Sequence, residues 1–431
     1  MVIMKLSAQF KEEPYWLDPT PLTKSFPGDP VPNRTDVLVI GSGYTGATAA
    51  IRLKQAGVDV TLIDMAKLGT AASARSGGMT ITGLTGNLEK IEKLLGQEKV
   101  KQLFAESLES VNTVERLVAE GNIDCNFQRY GHLEAAFKPL HFESLKRDQE
   151  RLHNQFGHET RIIPAKELKA EIGSPLYHGG LIDPLSAGVH PAKYIAGLIT
   201  MADNLGVNLC EEVAAEAIEH RGTGFKVRTN RGSISADDVV IATNGYTGPL
   251  TPWLRRRLVS TESLMIATEK LPAEVAQALI PRGRMIFDTK RFLFYFRLSP
   301  DGKRLLFGGR PKSPRRTLRQ NAAYMYRDML TVYPRLYGIS IEYAWSGKLG
   351  FSMDRSPHIG KRNGLNYALG YCGHGVAMAT YFGEKLAEMV QGKDPDTAFT
   401  DLPFRAIPLY NGNPWFRPFV YAYFSMMDRL A

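Results

Sequence analysis

The sequence predicts an α/β protein in which a domain built on a parallel β-sheet alternates along the chain with a second, mixed-sheet α+β domain. Two observations support this fold class. Residues 36–64 follow a strand–loop–helix–strand pattern, and another short apolar run typical of a buried strand lies at 239–242. Strand-rich sequence of a different pattern fills much of the remaining chain. With 431 residues, of which 44% are hydrophobic, the chain can bury a large core.

The predicted domain boundaries follow changes in sequence pattern. Residues 1–35 are rich in proline and predict an extended N-terminal arm without a core of its own. We assign the following segments to the nucleotide-binding domain: 36–90, 187–254 and 346–431. The segments 91–186 and 255–345 are assigned to a cap domain that binds substrate.

A glycine-rich loop between the first buried strand and its helix is the most informative motif. Gly41, Gly43 and Gly46 match G-x-G-x-x-G, in which the glycines permit a tight turn, close approach to a pyrophosphate and close helix–strand packing. Asp64 ends the next strand, where a carboxylate accepts hydrogen bonds from ribose hydroxyls. The motif predicts a Rossmann-type dinucleotide site and leaves FAD and NAD both open. The other residues that we expect to contact the dinucleotide here are Tyr44, Thr45 and Met65.

The small, polar segment Gly69–Gly78 favours FAD. A flavin must be carried across the domain, and a glycine pair with small neighbours allows the backbone to contact a flat ring; a flexible loop is the alternative. The residues assigned to the cofactor in and after this segment are Ala72, Ser73, Arg75, Ser76, Gly77, Gly78 and Met79.

With these motifs in place, the sequence resembles the D-amino-acid-oxidase-like superfamily of FAD enzymes, which includes the glycine and sarcosine oxidases. Within it, the chain is similar to the gamma-glutamylputrescine oxidoreductase-like branch. The resemblance runs from about Tyr15 to Leu430 and implies a Rossmann-type FAD-binding domain (GR2-like) interleaved with a substrate-binding cap. Five ordered motifs carry it: Val39–Gly46, Ser73–Gly78, Ala242–Gly245, Asp354–Pro357 and Gly370–Val376.

The resemblance also implies placements around the cofactor. Val213 corresponds to the position whose backbone meets the adenine, and the start of the last long helix would approach the pyrimidine edge of the flavin. A helix N-terminus there stabilises the negative charge of a reduced ring. Relatives that bind FAD covalently use a cysteine just before the Asp354-like position, and none is present at 346–353, so we expect non-covalent FAD and no metal. The further residues assigned to the cofactor are Thr243, Asn244, Gly245, Gly373, His374, Gly375 and Val376.

The activity that the resemblance implies is oxidation of the C–N bond of a small amine or amino acid. Hydride passes to flavin N5, the imine product hydrolyses, and O2 or another acceptor reoxidises the flavin. Tyr295 and Arg297 share one face of a predicted strand, where Arg297 can pair with a substrate carboxylate or form a structural salt bridge. The catalytic candidates are Tyr295, Arg297 and His374; His374 can equally be a packed histidine. Tyr246 and Trp253 are candidate pocket walls, although aromatic core residues are the commoner outcome.

Net charge and cysteine content indicate which classes of partner and which location to expect. The net charge of +9 comes from scattered basic residues with local clusters at 255–257 and 312–316. It indicates a solvated basic surface, with attraction for an anionic substrate or partner as the alternative. A nucleic-acid site would need a denser basic stripe with aromatic residues, so we expect no nucleic-acid partner. Three cysteines without paired spacing suit a reducing, cytoplasmic location, and no stretch is long enough to span a membrane. The aromatic run 415–427 can lie on a membrane surface, but docking on its own domain is favoured. The oligomeric state is not readable.

Three alternative functions stay open from the sequence. The first is a nicotinamide-dependent dehydrogenase on the same fold, because the fingerprint serves both cofactors. The second is a flavoprotein that modifies a nucleic-acid base, and the third is a non-catalytic flavin-binding protein.

Overall fold

The computed structural model describes residues 4–18, 24–28, 30–86, 88–312 and 316–430. Most strands form two large mixed sheets with helices packed on them, which confirms the predicted α/β fold class. The strands are β1 (Leu6–Lys11), β2 (Arg34–Ile40), β3 (Val60–Ile63), β4 (Met79–Thr80), β5 (His132–Ala135), β6 (Arg161–Pro164), β7 (Gly179–Asp183), β8 (Ala187–Gly188), β9 (Asn208–Cys210), β10 (Ala215–Arg221), β11 (Gly224–Thr229), β12 (Gly232–Ile241), β13 (Val259–Thr268), β14 (Met285–Asp288), β15 (Tyr295–Leu298), β16 (Leu305–Gly309), β17 (Ile341–Phe351), β18 (His358–Arg362) and β19 (Leu365–Leu369).

Ten α-helices lie in the described ranges, and none of them is both long enough and apolar enough to cross a membrane. The helices are α1 (Tyr44–Gln55), α2 (Leu88–Leu95), α3 (Gln97–Glu120), α4 (Pro139–Phe156), α5 (Pro191–Asn204), α6 (Pro252–Arg255), α7 (Ala273–Leu279), α8 (Leu318–Val332), α9 (Gly375–Val390) and α10 (Arg417–Leu430).

The first sheet forms the nucleotide-binding layer and runs in the order β10-β11-β12-β2-β3-β9, with β19 also beside β12. Strands β12, β2, β3 and β9 pair in parallel, and their apolar residues are buried. Helices α5 and α9 pack against α1 on this sheet. The glycine loop therefore lies at the carboxyl edge of parallel strands, where ligands of open α/β sheets bind.

The second sheet forms the cap and has nine strands in the order β1-β17-β13-β16-β15-β14-β5-β7-β6. Its register pairs Tyr295 with both Gly308 and Phe287, and pairs Phe287 with Glu134. Since cross-strand partners lie on the same face of a sheet, Tyr295, Phe287 and Glu134 form one row. On the other face, Phe296 and Phe307 stack with ring centroids 5.3 Å apart and form a separate core with α8.

Several contacts cross the domain boundaries predicted from sequence. Strand β1 of the N-terminal arm pairs in parallel with β17, and Trp16 is fully buried against His190, with ring centroids 4.9 Å apart. Helix α3, assigned to the cap, packs on α9 of the nucleotide-binding layer, and β17 runs through the predicted boundary at 345–346. The arm thus shares the core of the molecule, and the division into domains stays a proposal. Residues 19–23 and 29 of the arm lie outside the described residues.

Replacing Trp16 with alanine is expected to lower the free energy of unfolding by about 3–5 kcal/mol, because a large buried ring leaves a cavity. Denaturant unfolding of the flavin-loaded protein measures this loss. Glu13→Ala, an exposed change in the same arm, should stay within about 0.5 kcal/mol of the parent. Equal stability of the two variants would show that the arm is not part of the core.

Candidate active site

A single large cavity of about 1920 Å³ runs from the glycine loop to the cap sheet. Ordinary small-molecule pockets occupy roughly 300–1,000 Å³, so this cavity has room for a dinucleotide and a substrate together. One end is bounded by the loop after β2 and the other by residues of β14 and β15. The two sheets therefore share one compartment.

The glycine loop has the conformation that its sequence predicts. Gly41 has φ +108°, which favours glycine, and a Cβ on Gly46 would lie 1.9 Å from the Gly41 carbonyl oxygen. Asp64 braces the turn, because its Oδ2 accepts hydrogen bonds from the Ser42 N–H at 2.9 Å and the Ser42 hydroxyl at 2.7 Å. Gly43 is extended (φ −71°) and faces the cavity, with Ser73 Oγ 3.0 Å from where its Cβ would be. The loop thus offers bare backbone to a phosphate group.

The segment from Ala72 to Met79 is held between the two layers. The Tyr44 hydroxyl donates to the Ser73 carbonyl at 2.7 Å, and the Arg75 Nε–H donates to the Thr70 carbonyl at 3.0 Å. On the cap side, the Trp345 indole N–H donates to the Arg75 carbonyl at 2.9 Å. These bonds make the segment a fixed wall of the cavity rather than the flexible loop that the sequence left open.

Most of the residues predicted for the site line this one cavity, including Val213, whose N–H donates to the Asp64 carbonyl at 2.8 Å. The lining residues are Gly41, Gly43, Tyr44, Thr45, Asp64, Met65, Ala72, Ser73, Arg75, Ser76, Gly77, Met79, Val213, Thr243, Asn244, Tyr246, Tyr295, Gly373, His374, Gly375 and Val376. Whether each of them contacts the cofactor stays a prediction.

Arg297 does not line the cavity, contrary to the prediction that it binds a substrate carboxylate. It shares a strand face with Tyr295, but its Nη1 donates to the carbonyl oxygens of Gly78 at 3.0 Å and Val189 at 3.1 Å. Burial lowers the pKa of this guanidinium to about 10. These two bonds hold the cap sheet to the Gly78 turn and occupy Nη1, and the side chain lies outside the cavity lining.

Trp253 is also misassigned as a pocket wall. Its ring lies edge-on to Tyr367 and Phe404, with centroids 5.2 and 5.8 Å away, and the Arg257 guanidinium stacks over it at 4.3 Å. Helix α6 turns this ring into the core beside β19, so it is absent from the cavity lining.

Three glycines that the sequence assigned to the cofactor site lie outside the cavity lining. Gly46, Gly78 and Gly245 do not line the cavity, but none has space for a side chain. A Cβ on Gly78 would lie 2.2 Å from the Val189 carbonyl oxygen, and one on Gly245 would lie 2.9 Å from the Leu349 carbonyl carbon. They allow neighbouring backbone segments to approach the cavity closely.

The start of α9 forms another part of the cavity wall. Gly373 (φ +110°) and Cys372 (φ +53°) make the turn before His374, the N-cap residue. The His374 Nδ1 is buried without a hydrogen-bond partner in the described residues, and burial lowers its pKa to about 4, so the imidazole is neutral at pH 7. Burial raises the pKa of the Cys372 thiol to about 11, so it is not a thiolate nucleophile.

Sequence reasoning missed many of the lining residues, and three of these bear on the chemistry of the site, namely Phe287, Glu134 and Arg310. Burial raises the pKa of Glu134 to about 7, and Asp148 and Asp288 act in the same direction. Arg310 follows β16 and donates to the Thr261 hydroxyl at 2.8 Å. No local pattern distinguishes these side chains, because only the register of the cap sheet turns them toward the cavity.

Arg310 has no carboxylate partner among the described residues. Burial lowers the pKa of its guanidinium, and the positive charges of Arg355 and Arg417 act in the same direction. Both of those residues also line the cavity. This end of the cavity is therefore positively charged and suited to an anionic group.

Comparison with known proteins agrees with this geometry. Residues 36–389 match the family model described as FAD dependent oxidoreductase (DAO), and the chain belongs to this family. The chain is 32% identical over 386 residues to the probable oxidoreductase OrdL of Haemophilus influenzae, which covers 88% of each chain. It is 30% identical over 402 residues to gamma-glutamylputrescine oxidoreductase of Escherichia coli, covering 92% of this chain and 93% of that protein.

A solved glycine oxidase from Geobacillus kaustophilus has the same fold, with a TM-score of 0.73, 20% identity, and coverage of 88% of this chain and 99% of that one. Family membership makes the protein an FAD-dependent oxidoreductase and sets aside the nicotinamide alternative. The residues present fit this cofactor. The bare backbone at Gly43, the Asp64 carboxylate and the helix start at Gly375 all face a cavity of sufficient size.

Gly43→Val is expected to reduce bound FAD about tenfold or more, because a branched side chain would occupy the cavity surface that a pyrophosphate needs. Valine tolerates the extended φ of this position, so the fold should persist. The ratio of flavin to protein absorbance measures occupancy, and circular dichroism checks the fold.

Gly222→Ala, in the open turn between β10 and β11, is the control for glycine replacement and should keep its flavin. Full flavin occupancy in Gly43→Val would overturn the assignment of this loop.

Proposed function

We propose that the protein oxidises the C–N bond of a small amine or amino acid with FAD, giving an imine that hydrolyses to a carbonyl product. The observation that carries this proposal is the continuous cavity between the glycine loop and the row of Tyr295 and Phe287. One compartment can hold a dinucleotide and bring a small substrate against its ring. When bound, FAD supplies a two-electron acceptor at N5 for the hydride on the substrate carbon.

The names of two similar proteins support this substrate class. One is named for gamma-glutamylputrescine, an amine derivative, and the other for glycine, an amino acid. For this chain we propose the general class of small amines and amino acids, and neither of these two compounds in particular. The described cysteines are all free and buried, which is compatible with the cytoplasmic location that we also propose.

Tyr295 and Phe287 would position the substrate and exclude water from the reacting carbon. The Tyr295 hydroxyl is 2.7 Å from the Ser263 hydroxyl, and burial raises its pKa to about 12, so it stays neutral at pH 7. A neutral site of this kind suits removal of hydride from an amine that binds uncharged. The unpaired N–H groups at the start of α9 would stabilise the negative charge that develops on the cofactor.

Arg310 replaces Arg297 in our proposal as the residue that pairs with a substrate carboxylate. Tyr295 pairs with Gly308, and Arg310 is two residues further along the chain, which corresponds to roughly 7 Å in a strand. A carboxylate bound there would lie several bonds from a carbon oxidised beside Tyr295. The substrate class that fits best is therefore an amine with a carboxylate away from the oxidised carbon.

An anaerobic screen of amines and amino acids tests the proposed activity. A substrate should abolish the flavin absorbance near about 450 nm, and admission of O2 should restore it rapidly if the enzyme is an oxidase. Slow return of colour would indicate another acceptor. If dithionite bleaches the flavin and no amine does, the protein is a non-catalytic flavin-binding protein. Salt-sensitive RNA binding would instead favour the nucleic-acid alternative.

Arg310→Met should raise KM for an acidic amine roughly 10- to 100-fold, because a charge-assisted bond to the carboxylate is lost. KM for a neutral amine of similar length should change less than about threefold. Steady-state kinetics on both substrates measure the difference.

Arg297→Met is the matched control for loss of a buried arginine. It should lower the free energy of unfolding by about 1–3 kcal/mol through its two lost carbonyl contacts and leave both KM values near the parent. If Arg297→Met rather than Arg310→Met discriminated between the two substrates, the reassignment would be wrong.

A further inference from the structure

Helix α10 and the turn before it expose large apolar side chains. Trp415, Phe419, Tyr423 and Met426 are 53, 71, 54 and 47% exposed. The spacing of four and three residues places Phe419, Tyr423 and Met426 on one side of α10, and Trp415 lies in the turn that leads into it; we call these four residues the α10 stripe. Six of the fifteen large apolar side chains exposed in the described chain lie between residues 409 and 426. Concentrated exposure of this kind marks an interaction surface.

The opposite side of α10 is already packed on the protein. The rings of Tyr421 and Phe424 lie 5.0 and 5.7 Å from that of Phe292, measured between centroids, and all three residues line the cavity. The aromatic run therefore docks on a residue of the segment assigned to the cap, and not only on its own domain as the sequence favoured. This packing also means that the α10 stripe is a second apolar face, which intramolecular packing leaves in solvent.

The surroundings of the stripe are basic. Residues 402–427 contain no Asp or Glu, and the exposed Arg405 lies in this segment. The segment runs beside residues 255–258, where the Ile407 N–H donates to the carbonyl of Arg256 at 2.9 Å. The Arg256 side chain is exposed, and that of Arg255 packs against Gly412. The segment that leads into the stripe is therefore in direct contact with the arginines at 255 and 256, and Arg255 meets it three residues before Trp415.

We propose that the α10 stripe and the neighbouring arginines bind the anionic lipid surface of a membrane. Tryptophan and tyrosine favour the boundary between headgroups and acyl chains, and arginines beside them attract anionic lipids. A second copy of the chain is the alternative occupant, and the oligomeric state of the protein distinguishes it from a membrane. The proposal does not depend on the substrate of the enzyme.

Vesicle binding by the flavin-loaded protein tests this inference. Co-sedimentation with vesicles of phosphatidylcholine containing phosphatidylglycerol should exceed that with phosphatidylcholine alone and should weaken as salt rises. Trp16 and Trp345 are fully buried, whereas Trp415 is exposed, so a blue shift of tryptophan emission on binding should report Trp415. Trp415→Phe should abolish the shift and retain vesicle binding.

The double variant Phe419→Ser/Tyr423→Ser should reduce partition into anionic vesicles at least about tenfold and keep its flavin. Tyr337→Ser is the matched control, since Tyr337 is 72% exposed and lies outside the stripe. Parent protein that fails to bind anionic vesicles, or binds both vesicle types equally, would overturn the proposal. So would a dimer in size-exclusion chromatography that the double variant dissociates, because the stripe would then belong to a second copy.

Discussion

The hydrogen bonds from the Arg297 guanidinium to the carbonyls of Gly78 and Val189 join the cap sheet to the nucleotide-binding layer. The cavity lies where these two parts meet, so this contact helps to set its width. A buried guanidinium is costly unless its donors are satisfied, and these two carbonyls satisfy Nη1 without neutralising the charge. The contact depends on a glycine at position 78, since a Cβ there would lie 2.2 Å from the Val189 carbonyl oxygen and 3.2 Å from Arg297 Nη1.

The same packing explains why the site contains both neutral polar groups and positively charged groups. Near Tyr295 and His374, burial keeps both groups neutral at pH 7, which suits transfer of hydride. Arg310, Arg355 and Arg417 make a neighbouring part of the same end positive. Arg417 comes from α10, which lies beyond the residues 36–389 that match the family model.

Helix α10 connects the cavity with the proposed membrane surface. Its inner side chains bound the compartment, and the α10 stripe faces outward. Contact with lipid would therefore act on an element that also forms a wall of the active site. This arrangement provides a physical link between location on a membrane and access to the cavity.

The sequence by itself determined the features that depend on neighbouring residues. The turn at Gly41 to Gly46 and the helix start after Gly373 each arise within a strand–turn–helix unit, so spacing and residue type were sufficient. The hydrogen bonds from Ser42 to Asp64 were not predicted, because the sequence assigned this carboxylate to ribose hydroxyls. The α/β class followed from the same local patterns.

Only the tertiary structure decided which side chains face the substrate. Side chains along a strand alternate between its two faces, so Tyr295 and Arg297 share one face of β15. The Gly78 turn covers Arg297, whereas Tyr295 lies open to the cavity. Arg310 lines the site because β15 pairs with β16. Trp253 does not line it, because α6 directs the ring toward Tyr367 and Phe404. These outcomes depend on contacts between segments far apart in the chain, which local spacing does not encode.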